Sequence, residues 1–312
     1  MINIKDYIAT KTGFGEGLKE AATHNDRIIG LGCDITSSVG MNIFKDAFPE
    51  RFFSLGIAEQ NAAAVAAGFA LDNLIPVFST YSVFATTRAL DQIRISICYN
   101  NLPVIIGGAH AGISVGPDGA THQALEDIAI MRSLPNMTVI SPCDATQTKL
   151  ATIAATKLNK PVYIRFGRNE IADFTDENQN FEIGKAQVFN EGDDIAIFAT
   201  GSMLYHALKA AENLQKENIK CSVINIHTIK PLDEECIIKY AKKSKAIVSV
   251  EEHQIYGGLG SAIAECLAKN HPTKMKMIGI NDSFGESGQA EELLVKYGLT
   301  PENIEKTVKS LL

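Results

Sequence analysis

Six cysteines, Cys33, Cys98, Cys143, Cys221, Cys236 and Cys266, are scattered with no C-x-x-C pair among them. No Cys/His cluster has the ligand spacing of a zinc site. A chain of 312 residues builds a core without a disulfide framework. An excess of positive charge is also missing: 29 Lys and Arg face 36 Asp and Glu, a formal net charge of −7. That argues against a broad basic surface for nucleic acid or an anionic membrane, while leaving room for a small basic pocket. No apolar run approaches membrane-spanning length, and Met1 to Tyr7 contains no apolar signal region, so the cytoplasm is the expected location. Short-period repeats and low-complexity tracts are absent. The glycine-rich stretch Gly112–Gln123 lacks the G-K-[ST] ending of a P-loop. Gly257-Gly258-Leu259-Gly260 fails as a dinucleotide fingerprint because Ile263 fills the last glycine position.

What is present is 46% apolar residues, enough for two cores, arranged as short apolar runs alternating with helix-length segments. Residues 27–32, 75–79, 103–107, 137–141 and 161–165 read as buried strands. Segments near 59–72, 83–99, 123–133 and 144–158 have helical length. Residues 170–184 are acidic and polar and read as a linker. The alternation then restarts, with strands at 195–199, 221–226, 246–250 and 275–280. Helices are expected near 203–217, 233–242, 258–269 and 301–311. The pattern predicts an α/β protein of two domains, 1–169 and 185–312, each with a mostly parallel sheet flanked by helices.

Ligands of open α/β sheets lie beyond the carboxyl ends of strands, and polar residues collect there. Asp34 and Ser38 follow the first strand, and Thr80, Tyr81 and Phe84 follow the second. His110 follows the third, and the loop after it carries Asp118 and His122. Arg168 follows the fifth. Glu59 heads the strongly apolar run Ala62–Leu71. At the first turn of a buried helix, desolvation favours its neutral acid and the positive helix end favours its anion. A neutral carboxylic acid can donate a hydrogen bond to a ring nitrogen, which is what the aminopyrimidine of thiamine diphosphate requires. An acid at a helix start is also common for dipole reasons alone. Tyr81 and Phe84 fit either a core or a flat apolar surface for a heteroaromatic ring. Glu251-Glu252-His253 has no recognised ligand spacing and reads as a structural or interface element.

Gly56-Ile57-Ala58-Glu59, Gly116-Pro117-Asp118-Gly119-Ala120-Thr121-His122-Gln123 and Ser141-Pro142-Cys143-Asp144, in this order in one chain, resemble the C-terminal half of transketolase. The resemblance covers essentially the whole chain, with residues 1–169 similar to the pyrimidine-binding domain and 185–312 to the C-terminal domain. It implies that Glu59 hydrogen-bonds the aminopyrimidine, that Phe84 stacks on it with Tyr81 nearby, and that Asp34 is an acid close to the cofactor. Tyr81 stands where the family usually has phenylalanine. His110, His122 and Asp118 match residues that contact the sugar, and Ser38, His110 and Arg168 match its phosphate grip. Lys11 falls where the family has arginine, which keeps the charge and loses the bidentate fork. His122 and His110, with Glu59, are the implied catalytic groups.

Full-length transketolases carry an N-terminal domain that binds the diphosphate through a metal ion at a Gly-Asp-Gly motif, and no Gly-Asp-Gly occurs here. The resemblance therefore implies the second subunit of a split transketolase, with a partner chain holding the Mg or Ca ion and the diphosphate. Because Ala62–Leu71 has no polar face, two such chains are expected to pair through it, giving an α2β2 assembly. The same half is shared by deoxyxylulose-5-phosphate synthase and by beta subunits of 2-oxoacid dehydrogenases. Ser38, His110, Asp118 and Arg168 together favour a sugar phosphate over a lipoamide substrate. A non-catalytic binding subunit is the remaining alternative.

Overall fold

The structure, a computed structural model, describes residues 2–312. The first half contains β1 (Asp6–Ala9), β2 (Ile28–Gly32), β3 (Phe52–Ser54), β4 (Ile75–Tyr81), β5 (Ile105–Ala109), β6 (Thr138–Ile140), β7 (Val162–Arg165) and β8 (Glu170–Asp173). The second half contains β9 (Gln187–Asn190), β10 (Ile195–Ala199), β11 (Cys221–Asn225), β12 (Thr228–Lys230), β13 (Ala246–Gln254) and β14 (Met275–Ile280). One sheet has the order β12-β6-β7-β5-β4-β2-β3 and a second the order β14-β13-β10-β11-β9. Both are parallel except for one antiparallel strand at an edge, β12 in the first sheet and β9 in the second. The chain thus forms two α/β domains with mostly parallel sheets flanked by helices.

The central strands are apolar along their length because both of their faces are covered. In β10, Ile195, Ile197 and Ala199 point to one face and pack with Leu204 and Leu208. Ala196 and Phe198 point to the other and pack with Tyr240 and Leu267. The first sheet divides likewise, with Leu31, Phe78 and Ile106 on one face and Ile28, Val77 and Ile105 on the other. This is the two-residue period of a strand serving two cores at once.

Two devices fix the elements that border the candidate site. The helix Thr10–Thr23 lies hard against the helix Ala145–Ala155, and a Cβ on Gly13 would fall 2.0 Å from the Ala145 carbonyl oxygen. Only glycine permits that approach, and it sets the height of Lys11. Asp144 caps the second helix by accepting from Gln147 N at 2.8 Å. Its carboxylate also accepts from Phe174 N, Thr175 N and Thr175 Oγ1. The buried Ser-Pro-Cys-Asp motif thereby ties the segment after β8 to the first domain.

Two local expectations change, and one is refined. Glu170–Asp173, read as the start of a linker, forms β8, which pairs antiparallel with β1. The segment 83–99 is not one regular helix, for π-helical turns occupy Phe84–Arg88 and Ile93–Cys98. The helix Glu59–Leu71 buries one face, Ala62, Ala63, Ala66, Ala67 and Ala70, against the sheet. Its other face exposes Gln60, Asn61, Ala64, Gly68 and Leu71, so the polar groups there sit at the first turn only. Among the described residues no helix is long and apolar enough to cross a membrane.

Candidate active site

Glu59 is the first residue of its helix and is 2% exposed. The chain turns into that helix at Gly56, whose φ of 73° suits glycine. Glu59 Oε2 accepts from Arg88 Nη1 at 2.7 Å, and Oε1 accepts from Thr80 Oγ1 at 3.4 Å. Arg88 is itself half exposed and its guanidinium lies 4.3 Å above the Phe84 ring. Glu59 therefore has a cationic partner that reading the sequence did not supply. The signal was available: Arg88 follows Phe84 by four residues in a helical segment, the spacing that stacks side chains on one face. Cys33 lies close enough to feel both charges. Burial, and then the Glu59 carboxylate, push its thiol up to about 12, so it stays protonated and unreactive.

Four rings gather beside this pair. Tyr81, at the end of β4, lies 4.2 Å from His110 and 6.0 Å from Phe84, centroid to centroid. His122 presents its ring edgewise to both, 5.8 Å from Tyr81 and 5.5 Å from Phe84. Its Nδ1 is 2.9 Å from Thr121 Oγ1, a contact that selects the orientation of the imidazole. His110 directly follows β5 with φ of 55°, an uncommon conformation for a side-chain-bearing residue. Burial, then the positive charges of Arg168 and Lys11, lower its pKa to about 4. It is thus a neutral imidazole near pH 7, with one donor and one acceptor nitrogen. Its Nδ1 is buried and has no partner among the described residues.

The third part is cationic. Arg168 Nη1 donates to Asp118 Oδ1 at 2.9 Å and to the Val115 carbonyl at 3.2 Å. Gly167 N donates to Thr10 Oγ1 at 2.9 Å, which draws the Arg168 segment to the start of the helix carrying Lys11. Gly40, at φ of 76°, brings the loop bearing Asp34 and Ser38 against the same turn, where a Cβ would fall 2.2 Å from the Lys11 carbonyl oxygen. Asp34 is exposed with φ of 69°. Among the described residues, neither Asp34 nor Ser38 bonds a member of the cluster.

The structure thus brings Glu59, Tyr81, Phe84, His110, His122, Asp118, Arg168 and Lys11 to one crevice at the carboxyl ends of β2, β4 and β5. Asp34 and Ser38 lie on its border. The crevice offers a buried acid beside an aromatic face, two imidazoles and an anion-attracting end. A partly open cavity of about 180 Å³ between the domains, lined by Arg165, Ser202, His206 and Glu252, contains none of these residues. The crevice, not that cavity, gathers the acid, the aromatic face, the imidazoles and the cations.

The sequence profile of the transketolase pyrimidine-binding domain matches residues 6–173, and that of the transketolase C-terminal domain matches residues 184–304. The chain belongs to the transketolase family. It is 44% identical over 306 residues to a protein of Methanocaldococcus jannaschii provisionally named transketolase C-terminal section, covering 97% of this chain and 96% of that one. A 6-deoxy-6-sulfo-D-fructose transketolase subunit of Clostridium sp. is 40% identical over 287 residues, covering 92% of this chain and 89% of its own. The 1-deoxy-D-xylulose-5-phosphate synthase of Syntrophus aciditrophicus is 38% identical over 303 residues, and this chain spans 46% of its length. A solved split-gene transketolase chain, described as an inactive beta4 tetramer, superposes with a TM-score of 0.92 at 44% identity, covering 98% of both chains. Transketolases and deoxyxylulose-phosphate synthases depend on thiamine diphosphate.

Proposed function

We propose that this chain is the C-terminal subunit of a split, thiamine-diphosphate-dependent transketolase, moving a two-carbon ketol unit from a ketose phosphate to an aldose acceptor. The observation that carries this reading is the convergence of Glu59, Phe84, Tyr81, His110, His122, Asp118 and Arg168 in one crevice. Full-length similarity to transketolase C-terminal chains supports it.

The residues fit the cofactor. Glu59 is a buried acid at a helix start, and Phe84 is a partly open aromatic face linked to it through Arg88. When bound, thiamine diphosphate supplies the electron sink that lets the bond beside a ketose carbonyl break. Glu59 would meet the aminopyrimidine ring nitrogen, held at its angle by Arg88 and Thr80. Phe84 would cover the ring, and Asp34 would lie near it. His122 would hold and move protons at the sugar hydroxyls, with His110 as a neutral hydrogen-bonding partner. Asp118 would accept from a sugar hydroxyl. Arg168, Lys11 and Ser38 would hold the phosphate end by charge and hydrogen bonding.

The Mg or Ca ion and the diphosphate would be held by an N-terminal partner subunit. Self-association through the exposed face of the apolar run Ala62–Leu71, which presents Ala64, Gly68 and Leu71, would complete an α2β2 assembly. Because Glu170–Asp173 pairs with β1, we place the domain boundary later than the sequence suggested, with the first domain running to 173, a joining segment at 174–184 and the second domain at 185–312, and we place the protein in the cytoplasm. The test is to purify the chain with its N-terminal partner, titrate thiamine diphosphate and screen ketose donors. Ketol transfer from a ketose phosphate is the expected result. Condensation of pyruvate with an aldose phosphate would instead assign the deoxyxylulose-phosphate synthase reaction, and acyl transfer to lipoamide the dehydrogenase one. No cofactor binding by the assembled pair would leave the binding-subunit reading.

A further inference from the structure

We propose that the C-terminal domain acts as a mould for the loop Gly112–Gln123, with Glu252 and Gln123 as positioning residues for Asp118 and His122. The assignment of Asp118 and His122 to the sugar rests on the function proposed above, whereas the clamping of the loop is independent of it.

The loop is held from three sides. On one, Glu252 of β13, 5% exposed, accepts from Ser114 N at 2.7 Å through Oε1 and from Ser202 Oγ at 3.0 Å through Oε2. Gly112 sits at φ of 90° directly against this carboxylate, where a Cβ would fall 2.2 Å from Glu252 Oε1. On the second side lies the turn after β14. Gln123, 3% exposed, donates through Nε2 to the Ile113 carbonyl inside the loop at 3.1 Å and to the Glu286 carbonyl of the turn at 2.9 Å. A Cβ on Gly285 would fall 1.8 Å from Gln123 Oε1, and one on Gly119 2.5 Å from Ser287 Oγ. On the third side Asn169 Nδ2 donates to the Ser114 carbonyl at 2.6 Å. At the far end Gln254 N donates to the Leu125 carbonyl at 2.7 Å.

A loop containing Gly112, Gly116 and Gly119 has a wide choice of backbone conformations in isolation. Its polar side chains reach a fixed place only if something outside it removes that freedom, and small misplacements of reacting groups are costly in rate. Arg168 and Asn169 of the first domain hold Val115, Asp118 and Ser114, and the second domain supplies the rest of the constraint, from a residue of the Glu251-Glu252-His253 motif and from the Gly285–Gly288 turn. Neither Glu252 nor Gln123 touches the crevice in the way Glu59 or His122 does, so they act through the loop.

The test uses Glu252→Ala and Gln123→Ala in the full chain, alone and assembled with its N-terminal partner. Hydrogen exchange at amides 113–123 should accelerate by about tenfold or more in both variants, with β10 and β11 amides unchanged, as for a local opening. Glu252→Gln keeps an acceptor for Ser114 N and should retain most of the protection. In the assembled enzyme the KM for the ketose should rise while thiamine diphosphate affinity stays within about twofold, because Glu59 and Phe84 lie outside the loop. If Glu252→Ala does not fold, Gln123→Ala decides alone, since it leaves the Ser202 and Arg165 contacts intact. Unchanged exchange in the loop would overturn the proposal. Faster exchange in a chain whose parent shows no ketol transfer would uphold the clamp and remove only the assigned function.

Discussion

Two ion pairs with a buried carboxylate sit in the first domain, and they are put to opposite uses. Asp127 and Arg165 lie at the junction with the second domain, with side chains 0% and 7% exposed. Asp127 Oδ2 accepts from Arg165 Nε and Tyr163 Oη, while Arg165 Nη2 donates to the Glu252 carbonyl. His253 approaches from β13, buried and with its pKa lowered to about 4 mainly by that burial. Glu59 and Arg88 form the other pair, and there the cation is 42% exposed. At the junction both charges are enclosed, so the group joins two domains. At the crevice the acid is inside and its partner faces out over an aromatic ring, so a ligand can reach the pair. A charged cluster is a site only where its members are accessible.

The largest effect that would break this comparison is expected at the junction. Asp127→Asn leaves the buried Arg165 guanidinium without its counter-ion and should cost about 3–5 kcal/mol of stability. Denaturant unfolding of the full chain checks it. A loss below about 1 kcal/mol would mean that the junction is not the closed pair described, since that is the scale of an exposed one.

Glu59→Gln should leave the fold intact and reduce turnover by at least about a hundredfold, the low end for removing a general acid–base group. Thiamine diphosphate should still bind, because the amide retains a donor. Glu59→Ala should weaken binding further. Titration and turnover of both variants, each assembled with the N-terminal partner, give the measurement. Normal turnover by Glu59→Gln at saturating cofactor would reduce Glu59 to an ordinary helix-start acid.

Smaller still is the change expected at the cationic end. Arg168→Ala should raise KM for a phosphorylated donor by about ten- to a hundredfold, the scale of a lost charge-assisted contact of about 1.5–3 kcal/mol. It should barely affect an unphosphorylated donor. The same substitution removes the strongest of the positive charges acting on His110, so the His110 pKa should rise from about 4. Burial, the main cause, remains, and keeps it below the ordinary histidine value. A histidine whose folded pKa is depressed contributes stability above its unfolded pKa and loses it as pH falls through the folded value. Arg168→Ala should therefore shift the acid limb of the stability profile toward higher pH at its lower end. An NMR titration of His110 that does not move would separate Arg168 from the imidazole.

Much of this was legible in the sequence. Continuous apolar runs such as Ile28–Gly32 and Ile195–Ala199 announced the central strands, because burial on both faces removes polar residues altogether. The short strands β1, β3, β8, β9 and β12 were not legible. Each has three or four residues of mixed character, and pairing with a strand distant in sequence defines most of them. Tyr81, Phe84, His110 and His122 could be found because polar and aromatic residues at and beyond strand ends stand out against apolar runs, and Glu59 because it heads the apolar run Ala62–Leu71. Arg88 was overlooked on a segment read only as a helix. Glu252 was seen as part of a motif without chemistry, since its contacts, Ser114 and Ser202, lie on segments far from it in sequence.

One strand alters what separating the domains would mean. β12 belongs by sequence to the second half, yet it closes the first sheet by pairing Thr228 with Ile140 and Lys230 with Val139. Without it the backbone of β6 would be an unpaired edge, a template for unrelated chains. The covalent joint near residues 174–184 is thus not the seam of the molecule. A protease that cut there would leave two fragments woven into one sheet, and a gene broken at the same point would yield two products neither of which owns a finished surface.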